Sequence, residues 1–338
     1  MTDALVLGVD CGGTATRAVL ATVGGQLVGR GRARAGNPVA ADPAVTAAAL
    51  GEAAGAALHG HDPARVVGAV VGLAGVSRLA EPEVSARYAA QWTRLGLTCP
   101  MRTVGDAVVA FAAGTAAHRG TVLIAGTGAV AAEVQDDAVG RTADGLGWLL
   151  GDEGSGFWLG LAAARSTARA LYRGPPTGPL TRAVAGELGS TDPDAFVTRV
   201  YQLGRDRLAG LAPLVSTAAR DGDPDATAIL ESAAERLAGT LLSLHPAPGP
   251  VVLAGGVLAG VPEIRAAVQQ RLAARLGRPG MPAGDAAAGA AWVALRLLGY
   301  ADPALHARLL AAPPDAARPD TARPGSARPG RTEGLQSH

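Results

Sequence analysis

Apolar positions along this chain come first in short runs broken by glycine, then in stretches with helical spacing. Residues 4–10 (Ala-Leu-Val-Leu-Gly-Val-Asp) predict a buried strand that ends in a turn at Gly12-Gly13. Residues 15–23 predict a second strand, Gly24-Gly25 a second turn and residues 26–34 an alternating third strand, so the chain opens as an antiparallel meander. Asp42-Pro43 then marks a helix running to about His59, with Asp as N-cap and Pro at the first position. A central strand over 66–73, a helix around 81–95, a short strand over 101–104 and a helix from Asp106 to His118 follow.

From Thr121 the pattern restarts. Residues 121–125 predict a buried strand, Gly126-Thr127-Gly128 a turn, and 129–134 and 138–142 two further strands. Helical spacing dominates 154–244 and is strongest over 191–219 and 223–244. Residues 251–254 form another strand, stopped by Gly255-Gly256, with helices near 262–276 and 284–298. Two successive units of three strands followed by alternating helices and strands amount to a diverged internal duplication. The expected fold is α/β, with domains over 1–118 and 119–312 and a ligand cleft between them. Beyond Pro313, Ala-Arg-Pro segments recur with little that could pack, which predicts a disordered tail over 313–338; a basic interaction arm is the sharper reading.

Composition narrows the chemistry. The chain has 338 residues, 48% of them apolar, and a net charge of +1, which supports two packed domains and gives no reason to expect nucleic acid. No run approaches a membrane span and Met1-Thr2-Asp3 begins no signal peptide, so a cytoplasmic protein is expected. Cys11 and Cys99 make neither a disulfide framework nor a metal cluster, and the six histidines lack metal-ligand spacing. The chain contains no lysine, which excludes mechanisms built on a Walker A lysine or a Schiff base. It contains a single asparagine, Asn37.

Several motifs carry candidate chemistry, each beside a plainer reading. At Asp10-Cys11-Gly12-Gly13-Thr14, glycines let backbone N–H groups converge on an anion, Thr14 adds a hydroxyl, and Asp10 suits Mg²⁺ or its waters; the plainer reading is an Asp/Gly hairpin. Gly126-Thr127-Gly128 repeats the device at the matching point of the second unit. Gly255-Gly256 offers a flat backbone surface to a nucleotide, or simply close strand–helix packing. Asp106 reads as an N-cap or as a general base taking a proton from an attacking hydroxyl. The segment 145–156 (Gly-Leu-Gly-Trp-Leu-Leu-Gly-Asp-Glu-Gly-Ser-Gly) sets two carboxylates at a helix entrance, more than a cap needs, and suits sugar hydroxyls. Asn37-Pro38 is a turn, or an amide for a sugar hydroxyl.

These segments, in this order over residues 5 to about 298, resemble the N-acetylglucosamine kinase branch of the family that also holds activator ATPases of 2-hydroxyacyl-CoA dehydratases and benzoyl-CoA reductases. The most specific part is Gly147-Trp148 followed by Gly151-Asp152-Glu153-Gly154-Ser155. The resemblance implies an actin-like (ribonuclease H-like) duplicated two-domain ATPase fold. It implies ATP and Mg²⁺ as cofactors, a small amino sugar as substrate, and a homodimer. It makes Asp106 the base for the sugar 6-hydroxyl and Asp10 the metal residue. Asn37, Ala129, Val130, Gly147, Trp148 and Asp152 would meet the sugar. Gly12, Gly13, Thr14, Gly126, Thr127 and Gly128 would meet the phosphates, with Gly210, Gly255 and Gly256 forming the adenine-nucleotide wall.

This chain departs from its relatives at Ala129, where they usually carry serine, and at Ala107-Val108, where a polar residue often follows the base. It lacks the cysteine-rich zinc motif of another sugar-kinase family and the interface cysteines of the iron–sulfur activators. The expected function is phosphorylation of the 6-hydroxyl of N-acetylglucosamine or glucosamine. The alternative is a nucleotide-switched regulatory or activator ATPase.

Overall fold

The structure, a computed structural model, describes residues 4–38 and 42–311. The reading of 313–338 as a tail lies outside the described residues. The first unit runs β1 (Leu5–Cys11), β2 (Ala15–Thr22), β3 (Leu27–Arg34), α1 (Pro43–Leu58), β4 (Val66–Leu73), α2 (Pro82–Arg94), β5 (Met101–Gly105) and α3 (Asp106–Ala112). Asp42 caps α1 as expected, its carboxylate accepting from Ala44 N–H at 2.7 Å. The helix expected to reach His118 ends at Ala112, where the N–H groups of Gly114 and Thr115 both turn back onto the Phe111 carbonyl.

The second unit opens with β6 (Arg119–Ala125), β7 (Ala129–Gln135) and β8 (Ala138–Asp144). A helical block follows: α4 (Gly156–Leu171), α5 (Pro179–Leu188), α6 (Pro193–Tyr201), α7 (Arg205–Ala209), α8 (Ala212–Arg220) and α9 (Pro224–Ser243). Then come β9 (Val251–Ala254), α10 (Gly256–Gly260), α11 (Pro262–Leu276), β10 (Met281–Pro282), α12 (Ala286–Leu297) and α13 (Pro303–Ala311). The apolar spacing over 191–219 is divided among α6, α7 and α8, with Gly204 as N-cap of α7 and Pro213 in the first turn of α8. The two-residue β10 and the terminal α13 had no distinct signal in the hydrophobic pattern.

The strands form two five-stranded sheets, ordered β3-β2-β1-β4-β5 and β10-β9-β6-β7-β8. Read from its other edge the second sheet is β8-β7-β6-β9-β10, so the duplication extends to the topology. In each, the first strand is antiparallel to the second and parallel to the fourth. One core packs α1 and α2 on the first sheet, and another packs α4, α8, α9 and α11 on the second.

A third core joins the halves: Val6 and Val70 of the first sheet share it with Phe111 of α3, Val122 and Val252 of the second sheet, and Trp292 of α12. Helix α12, late in the chain, therefore returns to the first sheet. Its seat on β1 is tight, since a Cβ built on Gly8 would lie 2.2 Å from the Ala287 carbonyl oxygen. Both hairpins of interest lie at ends of β1 and β6, the central strands that face this shared layer.

Candidate active site

The first hairpin is closed by Gly12 N–H donating to the Ala15 carbonyl at 3.1 Å, which leaves Gly13 and Thr14 exposed at its tip. The antiparallel register puts Asp10 opposite Arg17, and the two charges stand 3.7 Å apart. Asp10 is 8% exposed, and burial pushes its carboxyl up to about 7; Arg17 opposes the rise, while Asp106 and Asp285 add to it. Asp106 is thus near enough for its charge to act on Asp10. Asn37 is half-buried beside this hairpin, because the preceding Gly36 N–H donates to the Gly12 carbonyl at 3.1 Å. The buried Tyr88 hydroxyl donates to the Gly36 carbonyl and fixes the segment from behind.

The second hairpin is closed by Gly126 N–H on the Gly128 carbonyl at 2.8 Å. Its Thr127 hydroxyl lies 2.8 Å from that of Thr14, so the tips of the two hairpins meet across the halves of the chain. The Gly126 carbonyl accepts from Gly156 N–H at 2.8 Å, which starts α4 directly behind the turn. Gly255 has φ of +94°, and a Cβ there would lie 2.3 Å from the Ala125 carbonyl oxygen. That close approach is to the neighbouring strand β6 and not the strand–helix packing of the plainer reading, whereas a Cβ on Gly256 would meet nothing within 4 Å. Gly210 is exposed and closes α7, which packs against α4 where Gly160 meets the Leu208 carbonyl. Gly255 and Gly256 therefore lie beside the end of β6, while Gly210 ends α7, the helix packed on α4.

Asp106 is not the N-cap of α3. Gly105 holds that position and Asp106 is the first helical residue, its Oδ1 accepting from Ala107 N–H at 3.0 Å. Burial raises its proton affinity, against the two backbone hydrogen bonds that lower it. The extended backbone of β5 runs straight into the helix, so glycine suffices at the junction and the carboxylate is available for other work.

The segment 145–156 is also not built as a carboxylate cap. Ser155 caps α4, its hydroxyl accepting from Trp158 N–H at 3.2 Å. Both carboxylates instead have other partners. Asp152, 4% exposed, accepts from Ala129 N–H at 2.9 Å through Oδ1 and meets Arg205 at 3.1 Å through Oδ2. Glu153 pairs with Arg236, whose guanidinium also lies 5.1 Å from the Trp158 ring centre. The loop is folded around Asp144, which accepts from Asp152 N–H at 2.7 Å and Glu153 N–H at 2.9 Å. Gly128 must lack a side chain, since its Cβ would lie 2.5 Å from Asp152 Oδ1. Ala129 is buried and its carbonyl accepts from Gly145 N–H, while Val130 is half-buried. Gly147 turns the loop at φ of +81°, and Trp148, 50% exposed, stands edge-on to Phe157 at 5.5 Å.

Arg17, Asp144, Arg205 and Asp285 were not singled out from sequence. Arg17 had a usable signal: a tight turn at 12–14 makes position 17 the cross-strand partner of position 10. Asp144 and Asp152 both sit at positive φ, +62° and +58°, a conformation that no pattern of hydrophobicity announces. Arg205 and Asp285 reach the site from distant segments.

The chain matches the BadF/BadG/BcrA/BcrD ATPase family over residues 7–294. It belongs to that family. Among curated relatives, an N-acetyl-D-glucosamine kinase of Dictyostelium discoideum is 27% identical over 278 residues, covering 76% of this chain and 86% of that protein. An N-acetylmuramic acid/N-acetylglucosamine kinase of Clostridium acetobutylicum is 26% identical over 172 residues, 48% of this chain and 56% of that one. A solved Chromobacterium violaceum structure, provisionally named an N-acetylglucosamine kinase, superposes with TM-score 0.70 at 28% identity, covering 87% of this chain and all of that one (100%). The architecture is the actin-like, duplicated ATPase fold, with the two hairpins of this family member meeting at Thr14 and Thr127.

Proposed function

We propose that this family member is an ATP:amino-sugar 6-phosphotransferase, with N-acetylglucosamine as first substrate and glucosamine as second. The observation that carries the reading is the meeting of Thr14 and Thr127, from hairpins 113 residues apart in sequence, beside buried Asp10, whose proton affinity the half-buried Asp106 helps to raise. The names of the Dictyostelium and Clostridium relatives support an amino-sugar acceptor.

In this reading Gly12, Gly13, Thr14, Gly126, Thr127 and Gly128 hold the phosphates of ATP, and Gly210, Gly255 and Gly256 wall its adenosine. Asp10 fits a magnesium ion, because it is a buried oxygen donor whose nearest cation, Arg17, stands off at 3.7 Å. No group of three or more His, Cys, Asp or Glu able to hold a metal occurs among the described residues, so phosphate and water would complete the shell. When bound, Mg²⁺ supplies charge neutralisation on the transferring phosphoryl group.

The sugar lies against Asn37, Ala129, Val130, Gly147, Trp148 and Asp152, with its 6-hydroxyl toward Asp106. Asp106 takes the hydroxyl proton as the oxygen bonds to the γ-phosphorus and ADP leaves. The raised proton affinity of Asp106, caused by burial, makes it a stronger base than an ordinary carboxylate. Residues 1–118 and 119–312 act as the two domains that close on the substrates and exclude water, with residues 286–311 carried on the first sheet. A homodimer in the cytoplasm is the expected setting; no helix among the described residues is long and apolar enough to cross a membrane.

ADP release measured across hexoses, hexosamines, their N-acetylated forms and N-acetylmuramic acid tests this directly. Stimulation by N-acetylglucosamine or glucosamine supports it. Hydrolysis indifferent to every sugar would instead favour a nucleotide-switched ATPase.

A further inference from the structure

Among the ion pairs outside the hairpins, the one between Arg205 and Asp152 joins two substrate sides. Arg205 is the first residue of α7, the short helix that ends at Gly210 on the proposed nucleotide side. Asp152 belongs to the loop proposed to hold the sugar. The guanidinium Nη2 meets the carboxylate Oδ2 at 3.1 Å, with the Asp152 side chain 5% and the Arg205 side chain 32% exposed.

Asp152 has little other support for a charge. It is held at φ of +58° by its own N–H on Asp144, and its Oδ1 takes the Ala129 N–H. The charged groups facing it are Arg205 from α7 and Asp144 from the end of β8; Glu153, next in the chain, is occupied by Arg236 of α9. Burial raises the proton affinity of Asp152 most, Asp144 adds to the rise, and the Ala129 N–H and Arg205 oppose it. Arg205 is thus the cation that compensates this carboxylate among the described residues. Its Nε is buried without a hydrogen-bond partner among the described residues, and Nη2 is the guanidinium atom that engages Asp152.

The helix carrying Arg205 does not depend on the pair. Helix α7 is seated on α4 through the Leu208 carbonyl, which a Cβ on Gly160 would approach to 1.8 Å. A carboxylate offers about four acceptor sites, and the two bonds here leave about two for hydroxyls. Buried ion pairs are poor stabilisers on balance, but removing one partner leaves an uncompensated charge.

We propose that Arg205 is a positioning residue for the phosphoryl acceptor, holding the Asp152 carboxylate in place from the nucleotide-side helix. This rests on the reading of Asp152 as a sugar contact.

The test is steady-state ADP release by the full chain, varying sugar and ATP separately across the acid-to-neutral range, for Arg205→Met, Arg205→Gln, Arg205→Lys and Asp152→Asn. Loss of one hydrogen bond to a charged group predicts that Arg205→Met and Arg205→Gln raise the sugar KM about tenfold to a hundredfold, leaving kcat and the ATP KM within about twofold. The acid limb of kcat/KM for sugar should also move to higher pH, because Asp152 then holds its proton longer, and Arg205→Lys should restore that limb. Arg205→Gln carries the same expectation if the Met variant does not fold. The inference is overturned if Asp152→Asn raises the sugar KM while the Met and Gln variants leave it, and the acid limb, unmoved. If Asp152→Asn itself leaves the sugar KM unchanged, the assignment of Asp152 fails and the role of Arg205 falls with it.

Discussion

The hydroxyls of Thr14 and Thr127 stand 2.8 Å apart at the tips of two hairpins that occupy equivalent places in the two sheets. A polyphosphate lying between the tips has to break this contact, and an exposed neutral hydrogen bond is worth only about 1 kcal/mol. Phosphate oxygens that accept from both hydroxyls and from the turn N–H groups exceed that loss. Thr14→Val and Thr127→Val should each raise the KM for ATP about threefold to tenfold while leaving the sugar KM in place. The double variant should cost less than the product of the two, because the residues share a partner. Melting temperatures should barely move, as Thr14 is exposed and Thr127 half-buried, and neither belongs to a packed core.

The two glycines after β9 separate packing from binding. Gly255→Ala forces a side chain into a positive-φ site against the Ala125 backbone, and the strain and overlap together should cost about 2–5 kcal/mol of stability. Gly256→Ala meets nothing within 4 Å, so it should melt like the parent while raising the KM for ATP. Thermal denaturation beside ATP kinetics checks both halves.

Asp10 sets a pH dependence. Between the ordinary carboxyl value of 3.8 and about 7, the folded chain keeps a proton that the unfolded chain has released. Stability from this group is therefore full below that window and declines as pH rises through it. Asp10→Asn removes the decline, so without nucleotide the variant should be more stable than the parent above neutral pH and no more stable at pH below the window. Melting curves of both proteins across pH, compared as a difference, isolate this group; parallel curves would contradict it.

Trp148 reports on the acceptor side. Trp92 and Trp292 are buried and Trp158 lies under Arg236, whereas Trp148 is half exposed beside Phe157. Sugar should change the intrinsic fluorescence of the parent, and Trp148→Phe should abolish that change.

The parts of the fold that were legible from sequence are those fixed by neighbours in the chain. The Asp42-Pro43 cap, the turns at Gly12-Gly13 and Gly126-Gly128 and the doubled three-strand opening are all local patterns, and the sheets carry them unchanged. The return of α12 to the first sheet was not legible, because its small, apolar face fits many partners and the close contacts that select one, at Gly8 of β1 and between Gly289 and α3, join distant segments. Within the site, a short motif announced Asp106 but not its helical position, since Asp is common at both the cap and the first turn. The loop of 145–156 was visible as an unusual cluster of glycines and carboxylates. Its organisation around Asp144, and the engagement of Asp152 by Arg205, depend on backbone conformations and distant partners that no spacing encodes.

The central claim is phosphoryl transfer to an amino sugar with Asp106 as base, and Asp106→Asn tests it most directly. ADP release should be measured with saturating N-acetylglucosamine, alongside direct sugar binding. The account predicts that sugar stimulates the parent, that Asn lowers turnover by about 10²–10⁴-fold, and that sugar affinity changes little. Turnover that survives the substitution, or ADP release that ignores the sugar in the parent, would contradict it.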